Sequence, residues 1–295
     1  MLCVGVFSSL ARFQPPMWKL ILLAAAIILT AAPLIAYWSY RNSAAETEVA
    51  FGAVAARANA RVQAFDPATV RGFPEIARRY FTHAIAPGTP LSTTVRLEMQ
   101  GTFLLGDKAS YRSFGMTAQQ ILAPPSEFVW VTSMRSGVVR VSGSDALVAG
   151  SAWTRFWINS IFQIVNLKGT PDLNRSAAAR SAMEAVWAPA SLLPDNGVRW
   201  EQTGPDAARL FFNTEIEPLD LTLGADGRVV EIVTMRWSDA NPEKTFRLQP
   251  FGGTVEADTS FSGFTIPSEL KVGNHYGTDA YLPFFQAEIT AAEYL

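Results

Sequence analysis

Cysteine is almost missing from this chain: Cys3 is the single one in 295 residues. One thiol excludes an intrachain disulfide and leaves no CxxC pair or Cys/His cluster. Too few residues precede it for a lipoprotein signal. Histidine is nearly as scarce, with only His83 and His275. Two imidazoles and one leader cysteine fall short of the three or four ligands of an ordinary zinc site, and no acidic loop has the spacing for calcium. Neither a metal nor a cofactor is therefore expected. Charge is thin as well, at 17% Asp, Glu, Lys and Arg, against ~25% for a typical soluble protein. The formal net charge of −2 provides no field for nucleic acid, which is excluded as a partner.

Catalytic signatures are lacking too. There is no Gly-x-Ser-x-Gly elbow, phosphate-binding loop or dinucleotide fingerprint. Ser268-Glu269-Leu270-Lys271 matches a bare Ser-x-x-Lys pattern, which needs both side chains on one helix face. Pro267 and the alternation of Leu270 with Val272 predict a strand, where Ser268 and Lys271 point to opposite faces.

What the chain does have is a long apolar run, Leu20 to Trp38, broken only by Thr30. At ~1.5 Å per residue it spans roughly 28 Å, close to a ~30 Å hydrocarbon core. Trp18 and Lys19 on one side, with Tyr37, Trp38, Tyr40 and Arg41 on the other, form the interfacial belts of a spanning helix. Pro33 lies in the outer half, where a kink is tolerated. The competing reading is a signal peptide cleaved after Ser43-Ala44-Ala45. A cleavable apolar region is usually ~7–15 residues, shorter than this one, and a retained anchor is the better reading. Arg12 and Lys19 precede the span, whereas Arg41 is followed by Glu46 and Glu48. The cation count places the amino terminus inside and the body on the outer, extracytoplasmic side of a cell inner membrane.

Beyond the span, Ser43-Ala44-Ala45-Glu46 reads as a capping box with Ser43 as N-cap. Phe51, Val54, Ala58, Val62 and Phe65 then recur at helical spacing as far as Asp66-Pro67. A second helix opens at Pro74 and runs through Ile76 and Tyr80 to Pro87-Gly88. From Thr93 the period changes to two. Val95, Leu97, Met99, Gly101, Phe103 and Leu105 share one strand face, and Arg96, Glu98 and Gln100 the other. That polar row lines a groove or is simply the solvated side of a sheet.

Further strands are predicted at Tyr111–Ile121, Glu127–Met134, Val138–Val148 and Ala152–Val165, the last also compatible with a helix. Asp172 to Trp187 is a clear helix, capped by Asp172 or Asn174. Strands resume at Val198–Gln202, Ala208–Ile216 and Leu219–Leu223, and a Gly224–Gly227 hairpin turn leads to Val229–Trp237. Thr245–Leu248, Gly253–Glu256, Phe264–Lys271 and Phe284–Ile289 complete the set. With no internal repeat and no dividing linker, ten or more strands belong to one domain. The organisation is a leader at 1–19, an anchor at 20–38, two helices within 43–86 and a single β-rich domain at 87–295. The fold class is α+β and β-rich: an N-terminal transmembrane helix, then a large curved antiparallel sheet, half-barrel-like, with a few helices packed on it.

Particular wording gives a further indication. Gly88-Thr89-Pro90-Leu91, Ile121-Leu122-Ala123-Pro124-Pro125 and Phe128-Val129-Trp130 resemble an uncharacterised bacterial family known only as a domain of unknown function. Glu184-Ala185-Val186-Trp187, Pro250-Phe251-Gly252-Gly253, Gly263-Phe264-Thr265-Ile266-Pro267 and Val272 to Pro283 are similar to it too. The resemblance covers roughly Pro74 to the carboxyl terminus and brings no assigned catalytic or binding residue. In architecture, many strands around a plugging helix resemble the half-barrel lipoprotein carriers of the bacterial envelope, which implies an acyl chain held between sheet and helices.

The most site-like polar position is His275, among glycines with Tyr276 and Asp279 beside it, the arrangement of a general base or ligand in an anchored hydrolase. The plainer reading is a His hydrogen-bonded within a turn. His83 stands near the end of a helix, where a cation interacts with the carboxyl end. The aromatic set Trp130, Trp153, Trp157, Trp187, Trp200, Trp237 and Phe264 lines an apolar ligand cavity or fills a core. Three functions follow: a membrane-tethered binder of a lipid or other apolar ligand, a hydrolase using His275 and Asp279, and a module docking an unspecified envelope protein.

Overall fold

The computed structural model describes residues 16–58, 63–213 and 215–295. Expectations resting on Cys3, Arg12 and the rest of the leader up to 15, and on Val62, lie outside the described residues. The apolar run is helical, but it does not end where the capping box was expected. Helix α1 is continuous over Met17–Ala56, with Pro33 inside it. A Ser-x-x-Glu box caps a helix only where the preceding chain leaves it. Here the turn before Ser43 is already helical, so the amides are paired and the side chains are free to reach the sheet. Ser43 Oγ and Glu46 Oε2 both accept from Arg155, at 3.3 and 2.7 Å. The helix closes at Arg57, well short of Asp66-Pro67.

Helix α2, Glu75–Ala84, follows Pro74 as expected and buries Ile76, Ala77, Tyr80, Phe81 and Ala84 on one face. Among the described residues thirteen strands then form one sheet, antiparallel at every pairing, in the order β6-β5-β4-β3-β2-β1-β13-β12-β11-β10-β9-β8-β7. The first meander is β1 Val95–Gly106, β2 Tyr111–Ala123, β3 Glu127–Ser136, β4 Val139–Val148, β5 Ser151–Ile158 and β6 Phe162–Lys168. The second is β7 Val198–Gln202, β8 Ala207–Phe212, β9 Leu219–Leu223, β10 Val229–Ser238, β11 Arg247–Phe261, β12 Phe264–Asn274 and β13 Leu282–Tyr294. Pairing of β1 with β13, Val95 against Tyr294, welds the two together.

Two strand expectations need correction. Ala152–Val165 is neither one strand nor a helix but β5 and β6, folded back on each other through Asn159 and Ser160, both at positive φ. Gly253–Glu256 and the end of Thr245–Leu248, from Arg247 on, belong to one fifteen-residue strand, β11, with register shifts that let it bend. The turn-forming residues inside those runs were weaker signals than the apolar period around them.

Helix α3, Pro171–Met183, connects the edge strands β6 and β7, continued by short 310 turns at 184–187, 189–192 and 194–196. Thr170, rather than Asp172 or Asn174, is its N-cap, accepting from the Leu173 amide. Asp172 and Asn174 are used sideways instead. Asp172 accepts from the Trp237 indole on β10 at 2.7 Å, and Asn174 from the Ala152 amide on β5 at 2.8 Å. In a flat sheet β5 and β10 would stand ~38 Å apart, at ~4.8 Å per strand. One helix ~10–12 Å across touches both, so the sheet is rolled around α3. Glycine makes the tight strand contacts of that roll possible: a Cβ on Gly253 or Gly273 would run into the backbone of the neighbouring strand.

Helix α1 takes the opposite face. Its Val54 packs with Ile121, Val129, Ala146 and Trp153 in a small cluster separate from the main core. The chain enters this face beside Trp157, whose ring meets Tyr40 edge-on at 5.6 Å, and leaves it where Arg57 pairs with Glu127 at 2.9 Å. Helix α1 therefore runs along the strands, with its apolar half projecting from the end that carries the β1–β2, β3–β4 and β5–β6 turns.

Candidate functional site

The inner face of the roll is the dry side. Alternation along β3 and β5 sends Phe128, Trp130 and Phe156 inward, and α3 meets them with alanines. Small side chains let the helix sit deep but do not fill the roll everywhere. A cavity of about 240 Å³ remains between α3 with its following turn and the strand walls, lined chiefly by Phe103, Trp130, Phe156, Trp187, Phe251, Val272, Phe284 and Phe285. Small-ligand sites run from ~300 Å³ upward and are mainly apolar with a few placed polar groups. This cavity falls somewhat below that range and has that lining.

Its polar groups are ionic. Arg180 on α3 donates to Asp145 of β4 at 2.6 Å and to Glu184 at 2.7 Å, and stacks over Phe128 and Trp130 with ring distances of 4.7 and 5.2 Å. Asp145 also accepts from Thr154 at 2.5 Å, and Glu184 from Gln120 at 2.6 Å. The two carboxylates hold the Arg180 pKa above its ordinary value despite burial, which by itself acts the other way. Arg236 of β10 faces the same cavity. Its Nε donates to the Ser176 carbonyl and hydroxyl at 3.2 and 3.1 Å. Burial first, and then the neighbouring Arg180, push its pKa down to about 10.

Of the seven aromatic candidates, Trp130 and Trp187 line this cavity. Trp200 instead packs against Tyr80 and Phe81 and donates to the Leu192 carbonyl at 2.9 Å. Phe264 stacks on Tyr294 at 4.0 Å. Trp153 and Trp157 point to the α1 face, and Trp237 lines a separate depression beside Asn174 and Glu217. His275 sits in the β12–β13 turn at φ +61°, with Nε2 donating to the Ala240 carbonyl at 2.6 Å. The backbone carbonyl of Asp279 accepts from Lys108 at 2.6 Å, while Tyr276 donates to Glu231 at 2.5 Å. His83 pairs sideways with Asp258 at 2.7 Å rather than with its own helix end. Among the described residues no group of His, Cys, Asp and Glu is arranged to hold a metal ion.

The four ionic residues escaped the sequence reading because they come from β4, α3, the turn after it and β10. Only Arg180 and Glu184, one helical turn apart on an otherwise small-residue segment, left a local signal. On the outer face, the row Arg96, Glu98 and Gln100 lines a polar groove of about 1060 Å³ beside α1. Arg96 is paired with Glu293 at 2.6 Å and Gln100 with Glu288 at 2.8 Å.

Residues 63–287 match the model of a family of unknown function, DUF6544. The chain belongs to that family, which accounts for the wording seen from Pro74 onward. No curated protein matches it. Among solved structures it is similar to a LolA superfamily protein of Nitrosomonas europaea, at 10% identity over 74% of this chain and 91% of that one, with TM-score 0.39. A second similarity is to a domain of Vibrio parahaemolyticus described as an outer membrane lipoprotein-sorting protein, at 8% identity over 68% and 85% of the two chains, with TM-score 0.38.

Proposed function

We propose that this protein is a single-pass, inner-membrane binding protein whose β-rich body, on the outer side, holds one apolar ligand such as an acyl chain inside the rolled sheet. The observation that carries this reading is the largely apolar cavity between α3 and the strands. Burial of an acyl chain contributes ~0.8 kcal/mol per methylene, so binding there needs no catalytic group.

The end of the sheet from which α1 projects supports a position against the bilayer. Val138 at the β3–β4 turn is 91% exposed, Phe162 at the start of β6 66%, and Tyr111 at the start of β2 54%. Arg135 and Arg140 sit directly opposite each other across β3 and β4 at that end, a like-charge pairing that an anionic surface relieves. Apolar tips ringed by cations suit a lipid interface. On the β1 and β10–β13 side, the cavity residues Phe103, Arg236, Phe251, Val272 and Phe284 lie within a few positions of the strand ends that face the same way.

Native mass spectrometry of the full chain, released from its membrane in mild detergent, tests the reading. The expected result is a co-purifying lipid or fatty acid that is lost in Val272→Trp, where the indole occupies the cavity. A full chain without any adduct, and without uptake of a fluorescent fatty acid, would sink it.

A further inference from the structure

The charges facing the cavity are not shared evenly. Arg180 takes both carboxylates, Asp145 and Glu184. Arg236 faces the same space without an ion pair among the described residues. Its Nε is satisfied by Ser176, and its guanidinium carbon lies 4.7 Å from the centre of the Phe251 ring. The two terminal nitrogens, with four N–H groups, have no protein acceptor among the described residues. The Arg236 side chain is half-buried and borders the cavity.

Arg236 is thus a charged group on an apolar cavity whose terminal donors have no protein acceptor among the described residues. A ligand oxygen bearing negative charge would supply one.

Resting on the reading of the cavity as a ligand site, we propose that the ligand is a single-chain amphiphile with an anionic carboxylate head. The head pairs with Arg236. The chain lies among Phe103, Phe156, Phe284 and Phe285. The volume of about 240 Å³ corresponds to roughly eight water-sized groups at ~30 Å³ each. That space takes the head and the first several carbons of one chain, the rest extending out of its open side, and excludes two chains side by side. The guanidinium keeps its charge at neutral pH, because a pKa of about 10 still leaves it protonated there.

The test is photolabelling of the full chain in phosphatidylcholine nanodiscs with two matched ten-carbon diazirine probes, one an acid and one an alcohol. Labelling runs at about pH 8, well above the ordinary carboxylic acid range near ~4, and sites are read by peptide mass spectrometry. The acid is expected to half-saturate cavity peptides at a concentration at least tenfold below the alcohol. Arg236→Met should bring the acid to the alcohol's value, and an unchanged thermal melt in detergent shows that the variant is folded. Equal labelling by acid and alcohol on the unmodified protein, or a preference that survives Arg236→Met, overturns the carboxylate assignment while leaving the apolar-ligand reading standing. Labelling of cavity peptides by neither probe removes that reading, and the assignment with it.

Discussion

Thr47 of α1 and Ser144 of β4 share a buried hydrogen bond of 3.0 Å between residues 97 positions apart. Thr47 sends its own proton to the Ser43 carbonyl at 2.8 Å, so Ser144 is the donor to Thr47. Ser144 in turn accepts from the Trp153 indole at 3.0 Å. The chain of bonds from Trp153 to Ser43 fastens α1 to the sheet. Ser144→Ala removes the central member and strands a buried indole N–H, a loss of about 1–3 kcal/mol. Denaturant midpoints of the full chain in detergent should fall accordingly, while Ser126→Ala, at an exposed turn, should leave them unchanged.

Arg180 presents the opposite risk, since one cation pairs with two half-buried carboxylates. Arg180→Leu leaves Asp145 and Glu184 without an ion-pair partner, with only the more distant Arg236 charge nearby, and should cost about 3 kcal/mol. Adding Asp145→Asn and Glu184→Gln to the same protein should recover a large part of that loss. A triple variant no more stable than the single one would mean that the charges are not what holds α3 in place.

The His83–Asp258 pair makes stability depend on pH. The hydrogen bond to Asp258 raises the His83 pKa above 6.5, against the opposing effect of burial, and the charges of Asp258 and Asp226 add to the rise while Arg228 opposes it. A folded-state pKa above the unfolded one stabilises fully below the unfolded value, and the benefit fades as pH climbs through the folded value. The melting-temperature gap between the unmodified protein and His83→Gln is therefore expected to be widest near about pH 5.5 and to close toward about pH 8.5. A gap that widens with rising pH would contradict the pairing.

Gly253 tests how tightly the sheet is rolled. A methyl group there meets the Lys271 carbonyl and the Val272 backbone, which belong to a paired strand and cannot turn aside. Gly253→Ala should destabilise by about 3 kcal/mol, the upper range for overpacking. Gly72→Ala, with open space around it, serves as the control and should be neutral within about 0.5 kcal/mol.

The apolar tips can be probed directly because the chain has a single natural cysteine, Cys3. In a Cys3→Ser background, an environment-sensitive dye on Val138→Cys or Phe162→Cys should blue-shift in anionic vesicles. The same dye on Glu201→Cys, in the second meander, should not. Equal emission at all three positions would detach the sheet from the bilayer.

Much of the architecture was legible because period-two alternation is strong wherever one sheet face is buried. Val95–Leu105 and Val229–Trp237 are cases in point, and Val198–Gln202 and Leu219–Leu223 match to the residue. The continuity of α1 was not legible, since Ser43-x-x-Glu46 carries the same letters in mid-helix as at a helix start. Nor was the strand order that sets β1 beside β13, because register between chain ends leaves no local mark. The Arg236 position was hidden for a related reason. A lone arginine on a strand reads as solvated until the rolling of the sheet turns that face inward, and the distribution of its partners depends on α3 arriving from elsewhere.

Helix α1 has no break between Pro33 and the residues bonded to the sheet. The outer half of the apolar run and the docked half are therefore one rigid shaft. With α1 spanning a bilayer as proposed, a hydrocarbon core thinner or thicker than the span would be accommodated largely by tilt, and a shaft without a hinge would pass that tilt to the whole body. The attitude of the rolled sheet toward the lipid surface would then be a readout of hydrocarbon thickness.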